Sequence, residues 1–334
     1  YVGTVHAVSL RLLQEFAIDA GLSPTVDVVA GNETKLLREA FERTLDQPTR
    51  LRLDELAARL ELRLDGRARR TDWVTPCADI MDLARSNRIS PSALTSMAER
   101  SLERLFLLLP PAARDGLALD EALAHELEIT SRRLEQGTDG KGVTTSALDL
   151  IKVSRRKLAD NELRWSGWAK LAMISTSQKC EGFVSDLRLA AARYEEHPRF
   201  HDDLRSMTRA IFDAARAGLV AYQDWKRERH VVDYIDMLDG ALTLLDHPRA
   251  RSELASRLRL VVVDEFQDTS PIQLALFIRL HAIARRSIWV GDRKQCIFEY
   301  AGADPLLMDA VSDWIGRQGG RRDRLEHNYR SRPE

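Results

Sequence analysis

Residues 261–270, VVVDEFQDTS, constrain the fold of this chain more than any other segment. Three β-branched apolar residues run directly into Asp264 and Glu265. Such a run is typical of a buried strand in a parallel sheet, and open α/β sheets bind ligands at the carboxyl ends of their strands. The segment therefore predicts a strand that presents two carboxylates at a ligand-binding edge.

The sequence around this segment predicts a strand–helix–strand unit. Ser270–Pro271 is typical of a helix start, a helix is predicted over 272–284, and a second strand-like run at 287–290 ends at a turn formed by Gly291 and Asp292. This order is that of a parallel sheet. From about 32 to 250 the pattern is almost wholly helical. Two apolar faces show the helical spacing: Leu36, Leu37, Ala40, Phe41 and Leu45, and Leu204, Met207, Ile211, Ala215, Leu219 and Tyr222. We predict an α/β core with a long helical insertion.

Composition sets wide limits. The 334 residues have room for two or three domains, and a net charge of −1 neither favours nor excludes nucleic-acid binding, which needs only local basic charge. The three cysteines lie far apart, which argues against a disulfide framework or a zinc ribbon. We find no apolar run of membrane-spanning length and no signal-peptide pattern, so we predict a cytoplasmic protein without membrane partners.

The acid pair has a specific chemical interpretation. A magnesium ion held by nucleotide phosphates needs a carboxylate at a strand end, which Asp264 would supply. Hydrolysis also needs a group that orients or deprotonates the attacking water, and Glu265 can do this. The alternative is a solvated strand end. Acids that directly follow three residues of buried type favour the functional interpretation, because an unpaired buried carboxylate is costly.

Other residues suggest a grip on nucleic acid. Phe298 and Tyr300 are two positions apart, so in an extended segment both rings would project from one face about 6–7 Å apart. A base could stack between the rings, and such stacking contributes roughly 1–3 kcal/mol per base to binding without sequence preference. The alternative is a pair of core aromatics. Thr4 and His6 fit either a DNA contact or a helix cap with a packed histidine. The basic and aromatic stretch 152–170 fits either a duplex DNA contact or an amphipathic helix with a solvated basic face.

Several motifs together resemble those of UvrD/Rep-type superfamily-one helicases. DEFQDTSPIQ (264–273) resembles motif II, the Walker B element. VGDRKQCIFEYAGAD (290–304) resembles motif III, LEHNYRSRPE (325–334) motif IV and GTVHAVSLRLL (3–13) motif Ib. VVDYIDML (231–238) resembles the segment that the family places shortly before motif II. These matches lie at both ends of the chain in the family's order.

The resemblance implies roles for individual residues in ATP hydrolysis. Asp264 would hold Mg²⁺ and Glu265 would activate water, while Gln295 would sense the γ-phosphate. Arg330 would contact the γ-phosphate as an arginine finger, and Tyr329 would stack on the adenine.

The resemblance also implies contacts to single-stranded DNA by Thr4, His6, Phe298 and Tyr300. One departure from the family pattern is Ala301, which stands where an arginine is usual. The absence of this arginine puts in doubt the coupling of ATP hydrolysis to movement along DNA.

The implied fold class is α/β: a partial RecA-like P-loop NTPase parallel sheet with a large all-helical insertion. RecA-like domain 1A would comprise 1–30 and 251–316, insertion domain 1B would comprise 31–250, and RecA-like domain 2A would begin at 317–334. His6 and Asp264 are separated by 258 positions (264 − 6), a long insertion for this family. With the Gly-Asp-x-Lys-Gln form of motif III, this favours a RecB/AddA-like helicase–nuclease subunit of double-strand-break repair.

The implied activity is ATP-dependent 3′-to-5′ translocation on single-stranded DNA, with single-stranded and duplex DNA as partners. The implied location is the cytoplasm, at the nucleoid. A second helicase–nuclease subunit is a candidate partner. The chain lacks the glycine-rich loop with Lys and Ser/Thr, so we expect a fragment that does not hydrolyse ATP alone. Two alternatives stay open: a UvrD/Rep-like repair helicase without a nuclease, and a non-catalytic DNA-binding subunit. An antiviral-defence motor built from the same parts is a further alternative.

Overall fold

The computed structural model describes residues 1–21, 26–29, 33–61, 72–137, 140–292 and 305–323, and most of them are helical. The helices are α1 Val5–Glu15, α2 Glu33–Thr44, α3 Gln47–Leu60, α4 Val74–Ser86, α5 Leu94–Phe106, α6 Gly116–Gly137, α7 Gly142–Ala159, α8 Trp165–Ala172, α9 Ser185–Ala192, α10 Pro198–Arg229, α11 Tyr234–Leu244, α12 Pro248–Arg257, α13 Pro271–Ile283 and α14 Pro305–Arg317. The strands are β1 Asp27–Val28, β2 Val231–Val232, β3 Leu260–Val263 and β4 Arg286–Trp289.

The chain divides into two compact units. The first comprises Tyr1–Glu33, Arg85–Arg88 and Lys226–Glu334, and the second comprises Thr34–Ala84 and Ile89–Trp225. The sequence pattern placed the ends of the insertion at 31 and 250. In the structure α11 and α12 belong to the first unit, because their buried leucines pack on α1 and α13. The assignment of these units to domains 1A and 1B stays a prediction.

The second unit is all-helical in its described residues and has two apolar cores. Both predicted amphipathic faces contribute to the first core, with Phe41 of α2 and Tyr222 of α10 fully buried. Trp168 of α8 and Leu123 of α6 lie in the second core, which α6 to α9 form together. The 3.6-residue periodicity thus predicted correctly which side chains leave water.

The first unit contains two small parallel sheets. β1 pairs with β2, with Asp27 opposite Val231, and β3 pairs with β4, with Leu260 opposite Arg286. Helix α13 connects β3 to β4, which confirms the predicted strand–helix–strand order. The start of α13 is specified locally: Pro271 takes the first turn, and Ser270 and Gln273 form a capping box.

The prediction that β3 is a buried strand is wrong for one of its faces. Val263 is buried against Phe266 and Phe277, whereas Val262 is 57% exposed and Leu260 is 48% exposed. On the neighbouring strand, Ile288 is also half exposed. Successive side chains of a strand point to opposite faces, so the described residues cover this sheet well on one face only. The run of valines indicated β-structure correctly but could not show how many layers cover it.

Among the described helices, none has both the length and the apolar composition required to cross a lipid bilayer.

Candidate active site

The acid pair lies where the sequence predicted it, directly after β3. Both Asp264 and Glu265 are exposed, and the amide of Glu265 donates a hydrogen bond to Oδ1 of Asp264 at 3.0 Å. Glu265 has a φ of 50°, in the left-handed region. That conformation is uncommon for a residue with a side chain and costs on the order of 1 kcal/mol or more. The surrounding structure therefore holds Glu265 in a backbone conformation that the residue does not favour by itself.

Backbone hydrogen bonds join the ends of the two strands beside this pair. The amide of Val290 donates to the carbonyl of Val263 at 2.8 Å, and the amide of Phe266 donates to the carbonyl of Val290 at 2.9 Å. The ring of Phe266 packs edge-on against Trp289, with ring centroids 5.0 Å apart. The turn after β3 is thus attached to the end of β4.

A buried glutamine extends this attachment to the acids. Gln267 is 2% exposed; its Nε2 donates to Oε2 of Glu265 at 2.6 Å, and its Oε1 accepts from the amide of Asp292 at 3.0 Å. No role for Gln267 was predicted from the sequence. The sequence feature that could have indicated it is the amide side chain itself, which follows Phe266 in a segment whose other polar residues are carboxylates and hydroxyls.

Among the described residues, no cation is paired with either of the two carboxylates, Asp264 and Glu265. The nearby Asp268 has a raised pKa, because burial and then the charge of Glu265 both disfavour its ionised form. Its Oδ1 is buried and accepts no hydrogen bond within the described part of the chain. Negative charge therefore accumulates at this edge of the sheet.

The donor set fits a magnesium–nucleotide complex. Oδ2 of Asp264 and Oε1 of Glu265 accept no hydrogen bond from the described residues, so both oxygens can take a ligand. No group of three or more potential protein ligands for a metal occurs in the described ranges. Mg²⁺ usually keeps several waters and takes one or two carboxylates plus substrate phosphates, which matches a site with two carboxylates.

Five predicted site residues lie outside the described residues: Gln295, Phe298, Tyr300, Tyr329 and Arg330. Ala301 lies outside them as well. Their roles in binding ATP and DNA stay predictions.

Thr4 and His6 lie at the amino end of α1. Oγ1 of Thr4 accepts a hydrogen bond from the amide of Ala7 at 3.3 Å, so Thr4 caps the helix. The His6 ring packs on Tyr234 with centroids 4.9 Å apart, and burial lowers the pKa of His6. The first unit thus contains the cap and the packed histidine, and a contact of either residue with DNA stays a prediction.

A second acid pair in the first unit follows β2. Asp233 is fully buried and accepts from Nη2 of Arg85 and, at 2.9 Å, from Nζ of Lys226. Lys226 also contacts Oδ1 of Asp236 at 2.6 Å, and Asp233 and Asp236 form a capping box at the start of α11. Burial opposes ionisation of Asp233, but the charges of Arg85 and Lys226 outweigh it and lower the pKa of Asp233.

The stretch 152–170 separates its aromatic residues from its basic ones. Trp165 and Trp168 are buried in the second unit, and Nε1 of Trp165 donates to Asp203 at 2.9 Å. Arg155 and Arg156 on α7 are exposed. The tryptophans therefore belong to the core, whereas the basic residues, including Arg164 and Lys170 outside α7, are accessible to a ligand.

Comparison with known proteins assigns the family. The model of the UvrD/REP helicase N-terminal domain matches residues 1–314, which includes the acid pair and both strands of its sheet.

The chain belongs to the UvrD/REP helicase N-terminal domain family.

Several relatives with curated names are similar to part of this chain. The A-subunit of the ATP-dependent helicase/nuclease of Streptococcus pneumoniae (strain Hungary19A-6) is 26% identical over 225 residues, 66% of this chain. The exonuclease/helicase protein RexA of Streptococcus pneumoniae serotype 4 is 27% identical over 225 residues. The helicase/nuclease A-subunit of Latilactobacillus sakei is 35% identical over 120 residues, 34% of this chain and 13% of that protein. The matched region spans 17% of the length of the two streptococcal proteins.

Proposed function

We propose that this region forms part of an ATP-dependent DNA helicase that moves 3′ to 5′ on single-stranded DNA. The main support is a single arrangement: two exposed carboxylates at the carboxyl end of β3, in a parallel strand–helix–strand unit of a UvrD/REP family member. Ligand binding at the carboxyl ends of parallel strands is the rule for such sheets. The names of the relatives support a helicase–nuclease subunit. A role in double-strand-break repair is a further part of the proposal.

The fold that we propose around the site is RecA-like. The parallel pairing of β3 with β4 and the crossover helix α13 fit one repeat of such a domain. The exposed apolar face formed by Val262 and Ile288 is what a second layer would cover. The all-helical second unit would be the insertion domain 1B, and its exposed basic face on α7 would approach duplex DNA.

Asp264 and Glu265 divide the chemistry between them. When bound, Mg²⁺ and ATP supply charge neutralisation and the phosphoanhydride bond that is broken. Asp264 would hold the metal–nucleotide complex at the strand end. Glu265 orients the attacking water and accepts its proton at a carboxylate oxygen, and Gln267 holds the other oxygen of Glu265 in place. The 334 residues contain no Gly-x-x-x-x-Gly-Lys-Ser/Thr loop, so we expect ATPase activity from the full-length protein and not from this region alone.

The decisive experiment is DNA-stimulated ATPase of the full-length protein with Glu265→Gln. Glutamine keeps an acceptor for Gln267 but cannot take a proton, so we expect kcat to fall by about 10²–10⁴-fold. Glu253→Gln, at an exposed position on α12, is the matched control and should leave kcat unchanged. An unchanged kcat in Glu265→Gln would refute the role of Glu265. Unwinding of duplexes with a 3′ or a 5′ single-stranded tail would test the polarity.

The second candidate is a helicase-like subunit that binds DNA without hydrolysing ATP. Two sequence features favour it: Ala301 stands where the family usually has an arginine, and the 334 residues contain no Gly-x-x-x-x-Gly-Lys-Ser/Thr loop. A full-length protein that binds single-stranded DNA but shows no ATPase in the wild type would support this candidate.

Two further parts belong to the main proposal of a helicase. We expect the full-length protein to co-purify with a second helicase–nuclease subunit and to associate with the nucleoid in the cytoplasm.

A further inference from the structure

We propose that Gln267 is a positioning residue that makes the placement of Glu265 depend on Gly291 and Asp292, the two residues of the segment that follows Val290 at the end of β4. This inference rests on the proposed function, since it concerns the group that activates water. It does not follow from the acid pair itself, because neither Asp264 nor Glu265 has a side-chain hydrogen bond to Gly291 or Asp292 among the described residues.

The first observation is the double hydrogen bond of one buried amide. Gln267 uses its donor on the Glu265 carboxylate at 2.6 Å and its acceptor on the Asp292 amide at 3.0 Å. A hydrogen bond to a charged group contributes more than one between neutral groups. If the backbone at Asp292 moves, the buried side chain of Gln267 either follows it or loses this hydrogen bond, which costs free energy.

The second observation is the absence of a side chain at Gly291. A Cβ there would lie 3.0 Å from Oε1 of Gln267, 3.2 Å from Cβ of Phe266 and 3.3 Å from the backbone nitrogen of Gln267. Contacts this short are tighter than ordinary van der Waals distances. The chain after β4 can approach Phe266 and Gln267 this closely because residue 291 is glycine.

The third observation is the backbone of Glu265. Its φ of 50° is unfavourable for a residue with a side chain, so the local sequence does not select this conformation. The hydrogen bond from Gln267 is one of the contacts that offset this cost. Since Gln267 also bonds to Asp292 beyond β4, Glu265 is held from the side of the second strand.

The chemical consequence concerns kcat rather than nucleotide binding. A general base works only when its oxygen is within hydrogen-bond reach of the water, and a displacement of about 1 Å can cost about 10²-fold in rate. A displacement of the backbone at Asp292 would therefore change the rate of hydrolysis through Gln267, while the affinity for ATP stays set by other groups.

The test uses two variants of Gln267 in the full-length protein. Gln267→Met has similar length and makes neither hydrogen bond, so we expect kcat to fall by about 10²-fold. The KM for ATP should change by less than about twofold, because uniform binding is retained. Gln267→Met and Gly291→Ala should also be non-additive in the double variant, since both disrupt the same contact.

Gln267→Glu supplies a readout that a merely structural role would not change. Its carboxylate, when protonated, donates to Glu265 as the amide does, whereas two ionised carboxylates repel each other and raise the pKa of the pair. We expect the ratio of its kcat to the wild-type kcat to fall as pH rises from about 5 to about 8.5. This ratio remains measurable even if Gln267→Met folds poorly.

The outcomes separate this inference from the proposed function. Wild-type kcat in Gln267→Met, or a pH-independent ratio for Gln267→Glu, would overturn the role of Gln267 while leaving Glu265→Gln inactive. Wild-type kcat in Glu265→Gln would overturn the proposed function, and the inference with it. Additive effects of Gln267→Met and Gly291→Ala would show that the two residues act independently, which also contradicts the inference.

Discussion

Two pairs of acids follow valine-rich strands in the first unit, and they have opposite environments. Asp233 follows β2 and Asp264 follows β3, each directly after consecutive valines. Asp233 is fully buried between Arg85 and Lys226. Asp264 is exposed and has no cationic partner among the described residues.

This difference shows how the same local sequence can serve structure or chemistry. A buried carboxylate persists only with charge partners and hydrogen bonds, and these occupy the oxygens of Asp233. An exposed carboxylate needs no such partners, so Oδ2 of Asp264 stays available for a ligand. Burial and partners therefore distinguish an acid that stabilises the fold from one that can bind a metal–nucleotide complex.

The largest expected effect on stability comes from Asp233→Asn. Asparagine keeps an acceptor for the capping hydrogen bond from Asp236, but it leaves the buried cations Arg85 and Lys226 without their shared carboxylate. Removing one partner of a buried ion pair costs about 3–5 kcal/mol. Urea unfolding followed by circular dichroism would measure this loss, and a loss below about 1 kcal/mol would show that the network is dispensable.

The pH dependence of stability would sharpen this result. The pKa of Asp233 is lowered in the folded state, so its contribution is present above the unfolded pKa of about 3.9 and is lost as pH falls through the folded pKa. The difference in unfolding free energy between wild type and Asp233→Asn should be constant near neutral pH and shrink below about pH 4. A difference that grows on acidification would contradict the lowered pKa.

Thr4→Ala measures how much a helix cap contributes to stability where no ion pair is involved. Thr4 caps α1 through one hydrogen bond and, unlike Asp233, is exposed and uncharged. Its loss should cost about 1 kcal/mol, which measures what a cap alone contributes, and Thr4→Ser should restore most of it. Thr4→Asp keeps a cap acceptor but adds negative charge. Weaker binding of single-stranded DNA by Thr4→Asp alone, in the full-length protein, would support the predicted DNA contact, whereas equal binding by all variants would remove it.

The smallest expected effect on stability is that of Asp264→Asn. Because Asp264 is exposed and has no ion-pair partner in the described part of the chain, its free energy of unfolding should stay within about 0.5 kcal/mol of wild type. The same urea titration as for Asp233→Asn measures it. A loss comparable to that of Asp233→Asn would mean that Asp264 has a structural role, and the contrast between the two pairs would fail.

The sequence predicted the features that depend on local pattern. The helical faces around Phe41 and Tyr222 pack as their spacing indicated, and β3, α13 and β4 follow in the predicted order. The position of Asp264 and Glu265 at a strand end was also predictable, because consecutive β-branched residues that end in acids leave few other structures.

Features that depend on distant partners were not predictable in the same way. Arg85 is 148 positions from Asp233, so no local pattern could pair them. The exposure of Val262 depends on which layers cover the sheet, and the link from Gln267 to Asp292 requires the two strand ends to be adjacent. Local sequence specifies the strand and its acids, whereas tertiary contacts decide which oxygens remain free.

The central claim, that Asp264 serves chemistry and Asp233 serves structure, is tested most directly by Mg²⁺ titration of DNA-stimulated ATPase in the full-length protein. Wild type, Asp264→Asn and Asp233→Asn would be compared per folded molecule. We predict that Asp264→Asn weakens the response to Mg²⁺ by roughly 10–100-fold or abolishes activity, while Asp233→Asn retains the wild-type response. A wild-type response to Mg²⁺ in Asp264→Asn would contradict the account.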